Sequence, residues 1–140
     1  HVRTAHNSFV LAIAELGLLG YYVWLSNIVL TVMMLLQIER MAHPVPQPGE
    51  ADLRAWQKLH SISRALLYGM VGGLMASMFL SRSYTVIWYV QIGMVVALHQ
   101  LARKQWPTIP AITFSKYWGR LFVFSNLSVL VFWLLTRVLL

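Results

Sequence analysis

The stretch Arg3-Thr-Ala-His6-Asn7-Ser-Phe-Val-Leu-Ala-Ile-Ala-Glu15-Leu-Gly17-Leu-Leu-Gly20 begins polar and continues directly into a long apolar segment. On one helix that advances 100° per residue, Gly17 lies about 20° from His6 and Gly20 about 40° to the other side. Glu15 lies about 180° away, so it is not a paired acid for His6. The stretch therefore predicts one helix in which Gly17 and Gly20 leave a groove for close helix packing below His6.

Composition indicates a membrane protein. Of the 140 residues, 59% are hydrophobic and 11% charged, and the mean hydropathy is +0.65, whereas about a quarter of a soluble domain is charged. The net charge of +7 does not indicate nucleic-acid binding, because the basic residues gather at the ends of apolar segments. The sequence contains no cysteine, which excludes disulfides and thiolate metal sites.

The hydropathy pattern predicts an all-α polytopic integral membrane protein with about four transmembrane helices and a short cytoplasmic amphipathic helix. We expect a single membrane domain over residues 1–140, with residues 1–8 at the periplasmic end of a loop. The predicted spans are 9–38, 62–80, 84–101 and 121–140. They are joined by a loop over 39–61, which carries the amphipathic helix, a turn over 81–83 and a loop over 102–120.

The first predicted span is longer than a membrane requires. It measures about 45 Å as a helix, against a hydrocarbon core of about 30 Å. We expect its first two turns to stand in the headgroup layer, with His6 and Asn7 in water and Glu15 near the boundary. In the second span, Gly69, Gly73 and Ser77 recur at every fourth position, which predicts a face for close helix packing.

The distribution of basic residues predicts the orientation. Eight lie in the loops 39–64 and 102–120: Arg40, Arg54, Lys58, Arg64, Arg103, Lys104, Lys116 and Arg120. Three lie on the opposite side: Arg3, Arg82 and Arg137. Because cytoplasmic loops carry the excess of Lys and Arg, the long loops are predicted to be cytoplasmic, and His6 to face outward.

The spacing of His6-Asn7, nine residues, and Gly17-x-x-Gly20 resembles the signature of the O-antigen ligase and polymerase superfamily. The resemblance implies a polytopic bacterial inner-membrane glycosyltransferase whose active site faces the periplasm. Such an enzyme transfers a glycan from undecaprenyl pyrophosphate to an acceptor hydroxyl with inversion, without a metal or cofactor. His6 would then be the catalytic base. The chain opens with His1, so we expect it to be the C-terminal part of a larger protein whose upstream transmembrane helices complete the donor site.

The other candidate site residues each have a second interpretation. Arg3 would grip the pyrophosphate of the donor or be an ordinary solvated arginine. Arg82 would do the same or, as we favour, anchor to lipid headgroups. Asn7 would orient His6 or cap the helix. Glu15 would bind the acceptor or pair with a cation from another helix.

Two other classes of function compete with the enzyme. A transporter or permease for a lipid-linked or small polar substrate also has glycine-lined helices and an intramembrane acid. A structural subunit would make the motif accidental and His6 an interfacial side chain. The sequence has no phosphate-binding loop, no His-Glu-x-x-His pattern and no acidic pair for a metal ion. It does not separate ligase from polymerase, nor does it specify the sugars or the acceptor.

Overall fold

The computed structural model describes residues 8–42, 49–77 and 86–139, which form helices and contain no strand. The helices are α1 (Ser8–Arg40), α2 (Glu50–Ser77), α3 (Val86–Gln105) and α4 (Phe114–Leu139). The prediction of an all-helical protein is confirmed for this part of the chain.

Helix α1 consists of two helical segments that meet at a sharp turn. At Gly17 the backbone leaves helical geometry, with φ 65° and ψ −179°. The ring centroids of Phe9 and Trp24 are 5.5 Å apart, whereas a straight helix would separate these two residues by about 22 Å. The chain therefore folds back at Gly17. Residues 8–16, the short arm, lie alongside the first turns of residues 18–40, the long arm.

The fold-back corrects two expectations about this region. Residues 8–20 do not continue along a single helix, so the angles calculated for Gly17 and Gly20 on one helical face do not apply. The short arm also does not extend the long arm into the headgroup layer, because Phe9 returns to the level of Trp24. The long arm alone measures about 35 Å, which is enough to cross a hydrocarbon core of about 30 Å.

Helix α1 is the central element of the fold. It packs against α2, α3 and α4, and α2 also packs against α3. The core forms three layers along α1, and each layer is centred on a different part of that helix. The first contains Phe9, Ala12, Tyr21 and Leu25; the second Ile28, Leu35, Met70, Trp88 and Val95; the third Ile38, Trp56, Leu59, Ala102, Trp106 and Ile109.

Two helices of the described chain, and not the predicted four, are long and apolar enough to cross a membrane. They contain the candidate spans Leu11–Arg40 in α1 and Phe114–Leu135 in α4. The most apolar part of the α4 span is only 11% buried. Its side chains therefore face outward, as they would toward lipid. The described helices α2 and α3 do not meet the same criterion, and the predicted spans 62–80 and 84–101, with the turn at 81–83, extend into residues outside the described ranges.

Two helix boundaries also differ from the prediction. Helix α2 runs without interruption from Glu50 to Ser77, so the amphipathic surface helix and the second span are one element. Helix α4 begins at Phe114, before the predicted residue 121. The acidic residues Glu50 and Asp52 lie in the first turn of α2, where they favour helix initiation by complementing the positive end of the helix dipole.

The predicted small-residue face of α2 is confirmed as the surface that contacts α3. A Cβ atom added to Gly69 would lie 2.9 Å from Nε2 of Gln91, and one added to Gly73 would lie 3.1 Å from the Trp88 ring. The Gln91 side chain donates a hydrogen bond to the Leu66 carbonyl (3.1 Å). Glycine is therefore needed on this face because α3 approaches the α2 backbone closely.

Replacing Gly73 with leucine should separate α2 from α3. We expect Gly73→Leu to reduce the free energy of unfolding by about 1–3 kcal/mol, because the new side chain would overlap the buried Trp88 ring. Gly72→Leu is the matched control, since open space surrounds that position. Thermal unfolding followed by circular dichroism in detergent would measure both variants. Equal losses of stability would contradict the close contact.

Candidate functional site at the Gly17 turn

The two glycines of the sequence motif have different roles in the turn. Gly17 has a backbone conformation that is essentially restricted to glycine, since φ is 65° and ψ is −179°. Gly20 is required because Leu16, the last residue of the short arm, approaches it closely: a Cβ atom added at Gly20 would lie 2.6 Å from Cβ of Leu16. The Gly-x-x-Gly spacing thus allows the chain to reverse.

The structure gives a different explanation for Gly17 from the predicted helix packing. Apart from its neighbours along the chain, no described residue lies within 4 Å of a Cβ atom added at Gly17. Its backbone angles, and not a close neighbour, account for glycine at this position.

Helix α4 and the long arm enclose the short arm. The Phe9 ring stacks on Phe132 with ring centroids 5.2 Å apart, and Ala12 is completely buried. Close by, the hydroxyl groups of Tyr21 and Ser128 form a 3.0 Å hydrogen bond. Because Ser128 donates to the Ser125 carbonyl (2.7 Å), Tyr21 is the donor in that bond. These contacts hold α4 against both sides of the turn.

One largely apolar cavity lies beside the turn, and another lies beside the start of the short arm. One, of about 570 Å³, lies between α1 and α3 and is lined by Leu16, Gly20, Asn27 and Tyr89, among others. The other, of about 420 Å³, lies beside the short arm and is lined by Phe9 together with side chains of α1, α2 and α4. Apolar cavities of this size accept hydrocarbon groups.

The described residues include only part of the predicted site. Arg3, His6, Asn7 and Arg82 lie outside them. Glu15 is exposed on the short arm, and within the described ranges it has no cationic partner.

A polar cluster that the sequence analysis did not predict lies at the other end of α1. The Nε of Arg64 donates to Oε2 of Glu39 at 2.8 Å, and Nδ1 of His60 lies 3.7 Å from Oε1 of the same carboxylate. Glu39 raises the pKa of the Arg64 guanidinium above its ordinary value, first through this hydrogen bond and then through its charge. The cluster connects α1 to α2.

A second polar contact connects α1 to α3 and to the loop before α4. The Gln37 side chain accepts from Nε2 of the buried His99 (2.9 Å) and donates to the Pro110 carbonyl (3.1 Å). Both partners are distant from Gln37 in sequence, so no local pattern identifies them. No group of three His, Asp or Glu side chains suited to a metal ion occurs in the described ranges.

No family model, curated protein or solved structure matches this chain.

Replacing Gly17 with alanine should destabilise the turn. We expect a loss of about 1–3 kcal/mol in the free energy of unfolding, because Gly17→Ala forces an L-residue into glycine-only backbone angles. Gly93→Ala is the matched control, since Gly93 is an exposed residue within α3 and has open space around it. Its substitution should be neutral or stabilising. Chemical unfolding in mixed micelles would compare the two variants, and a neutral Gly17→Ala would show that the turn does not need glycine.

Proposed function

We propose that this chain is part of a bacterial inner-membrane glycosyltransferase that resembles the O-antigen ligases and polymerases. In the proposed reaction, an acceptor hydroxyl oxygen attacks the anomeric carbon of a glycan carried by undecaprenyl pyrophosphate. The bond from that carbon to the pyrophosphate oxygen breaks, undecaprenyl pyrophosphate leaves, and the sugar configuration inverts. His6 accepts the hydroxyl proton as a neutral imidazole.

The observation that carries the proposal is the structural requirement for both motif glycines. A run of apolar residues matches short patterns by chance, but Gly17 and Gly20 are each explained by the turn, one by its backbone angles and one by the contact with Leu16. The spacing of the motif therefore coincides with a defined structural unit, which supports interpreting the residues before it, His6 included, as part of the same unit.

The apolar cavity beside Phe9 supports a lipid-linked substrate. Its lining is almost entirely hydrocarbon, which suits a polyprenyl chain. His6 precedes Phe9 by three residues in the sequence, and in the proposal this base acts on the glycan of a lipid held in the cavity. Non-helical backbone at membrane depth, such as the turn between the short arm and the long arm, must be sheltered by protein or line a polar cavity. We expect upstream transmembrane helices to provide that shelter. Arg3, Asn7, Glu15 and Arg82 would contact the substrate.

The same turn favours a second candidate, a transporter or permease. Transporters build their substrate sites from discontinuous helices, and α1 is discontinuous at Gly17. In that case the cavities would line part of a substrate pathway, and His6 or Glu15 would bind the substrate without forming or breaking a glycosidic bond. The two candidates differ in whether a covalent product accumulates.

Glycan transfer by the full-length protein would test the proposal. The protein would be reconstituted in liposomes with an undecaprenyl-pyrophosphate glycan and a panel of acceptors, in the presence of EDTA. We expect His6→Ala to reduce transfer by about 10²–10⁴-fold, the range typical of general base catalysis. The product would be measured by gel mobility and mass spectrometry.

His43→Ala provides the matched control, because it removes a histidine from the proline-rich segment outside the motif. It should retain wild-type transfer. Equal transfer by His6→Ala and wild type would reject His6 as the base. If the lipid-linked glycan or another solute crossed the bilayer and no transfer product formed, the glycosyltransferase proposal would be rejected in favour of the transporter.

A further inference from the structure

A groove with two cationic side chains lies between the two helices that are suited to cross a membrane. This basic groove has a volume of about 270 Å³ and is lined by Met33, Leu36 and Arg40 of α1, Ile112 of the preceding loop, and Lys116 and Tyr117 of α4. It is far along α1 from the Gly17 turn, shares no lining residue with the cavity between α1 and α3, and shares only Met33 with the cavity beside Phe9. Its cationic rim distinguishes it from both.

The loop between α3 and α4 closes one side of the basic groove. Gln37 donates a hydrogen bond to the Pro110 carbonyl (3.1 Å), and Arg103 donates to the Ile109 carbonyl (3.3 Å). The Ile109 side chain is buried in the layer of core around Trp106. The groove is thus bounded by backbone that is fixed to α1 and α3.

The lining of the basic groove is amphipathic. Met33, Leu36 and Ile112 supply an apolar wall, and the exposed cations Arg40 and Lys116 stand at its polar rim. Lys116 also lies over the Tyr117 ring, with its Nζ 5.7 Å from the ring centroid. Arg40 is the last residue of α1, and Lys116 is in the first turn of α4. The cations therefore mark the same end of both candidate spans.

No described carboxylate neutralises the positive charge of the rim, although Arg40 lies in the last turn of α1, where the helix dipole favours a cation. The neighbouring Glu39 pairs with Arg64, and no carboxylate there forms an ion pair with Arg40 or Lys116. The first turn of α4 has no acidic residue, although an anion is favoured at the positive end of a helix dipole and a lysine is not. Two cations and a helix N-terminus thus favour a bound anion.

We propose that the basic groove binds one anionic phospholipid, with its headgroup phosphate between Arg40 and Lys116 and its first acyl methylenes against Met33, Leu36 and Ile112. Basic pockets between transmembrane helices on the cytoplasmic side suit such headgroups, and the charge distribution predicts that this end is cytoplasmic. The apolar wall distinguishes a lipid from free phosphate. The lipid joins α1 to the start of α4, and this role does not depend on the glycosyltransferase proposal.

Lipid retention by the full-length protein would test this site. The protein would be purified in detergent, delipidated, and mixed with dioleoylphosphatidylglycerol or with zwitterionic dioleoylphosphatidylethanolamine, and bound lipids would be counted by native mass spectrometry. We expect one tightly retained phosphatidylglycerol. The double variant Arg40→Gln/Lys116→Gln should bind it about 30-fold more weakly, which corresponds to about 1 kcal/mol for each cation.

The control Lys58→Gln/Lys104→Gln removes the same charge from exposed positions that do not line the groove, and it should bind like wild type. The exchange Arg40→Lys/Lys116→Arg keeps the charges and should retain the lipid. Ala111→Phe keeps both cations but fills the groove and should lose it. Unchanged binding by Ala111→Phe, or equal losses in the two charge-removing variants, would overturn the proposal.

Inorganic phosphate distinguishes a phospholipid site from a site for any phosphate anion. Phosphatidylglycerol should raise the thermal midpoint of the wild-type protein, and inorganic phosphate at equal concentration should not. An equal rise with inorganic phosphate would show a simple anion site and overturn the assignment to a lipid.

Discussion

The reversal of the chain at Gly17 is the constraint on which the rest of the structure depends. A single residue with φ 65° sends the short arm back along the long arm, so that Phe9 contacts Trp24 and Phe132. This creates the first core layer and gives α4 a surface to pack on, and apolar cavities lie beside Gly20 and beside Phe9. A straight α1 would present Phe9 to solvent or lipid headgroups, about 22 Å from Trp24.

The two ends of α1 have different chemistry. Around the turn, the buried contacts are largely aromatic and apolar, the hydroxyls of Tyr21 and Ser128 bond to each other, and Glu15 is exposed. At the other end, ionic and amide groups hold the helices together, and the cations Arg40 and Lys116 form no ion pair with a described carboxylate. Such a division matches a protein with one cytoplasmic, positively charged end. The two proposals accordingly concern different ends: we propose a lipid-linked substrate beside the turn and an anionic headgroup at the basic groove.

The enzyme and transporter interpretations share the same geometry because a broken helix serves both functions. Catalysis at membrane depth needs a proton acceptor and shelter from lipid, and transport needs a polar site with alternating access. Gly17 and Gly20 provide the reversal in either case. What separates the two interpretations is covalent chemistry at His6, which measurement of the product reports directly.

The sequence by itself determined the helical class, the apolar character, the small-residue face of α2 at Gly69 and Gly73, and the importance of the Gly17–Gly20 stretch. These features depend on composition and on spacing within one helix, which are local properties. It did not determine the direction of the chain at Gly17, since a helix-compatible glycine and a turn-forming glycine look the same in an apolar run.

Only the tertiary structure decided which distant residues meet. The contact of Phe9 with Phe132, the hydrogen bond from Gln37 to Pro110, and the meeting of Arg40 and Lys116 at one groove all join residues far apart in the chain. Such contacts result from how helices pack, and packing depends on the shapes of whole faces and not on any local pattern. In the described chain two helices, rather than the predicted four, are long and apolar enough to cross a membrane.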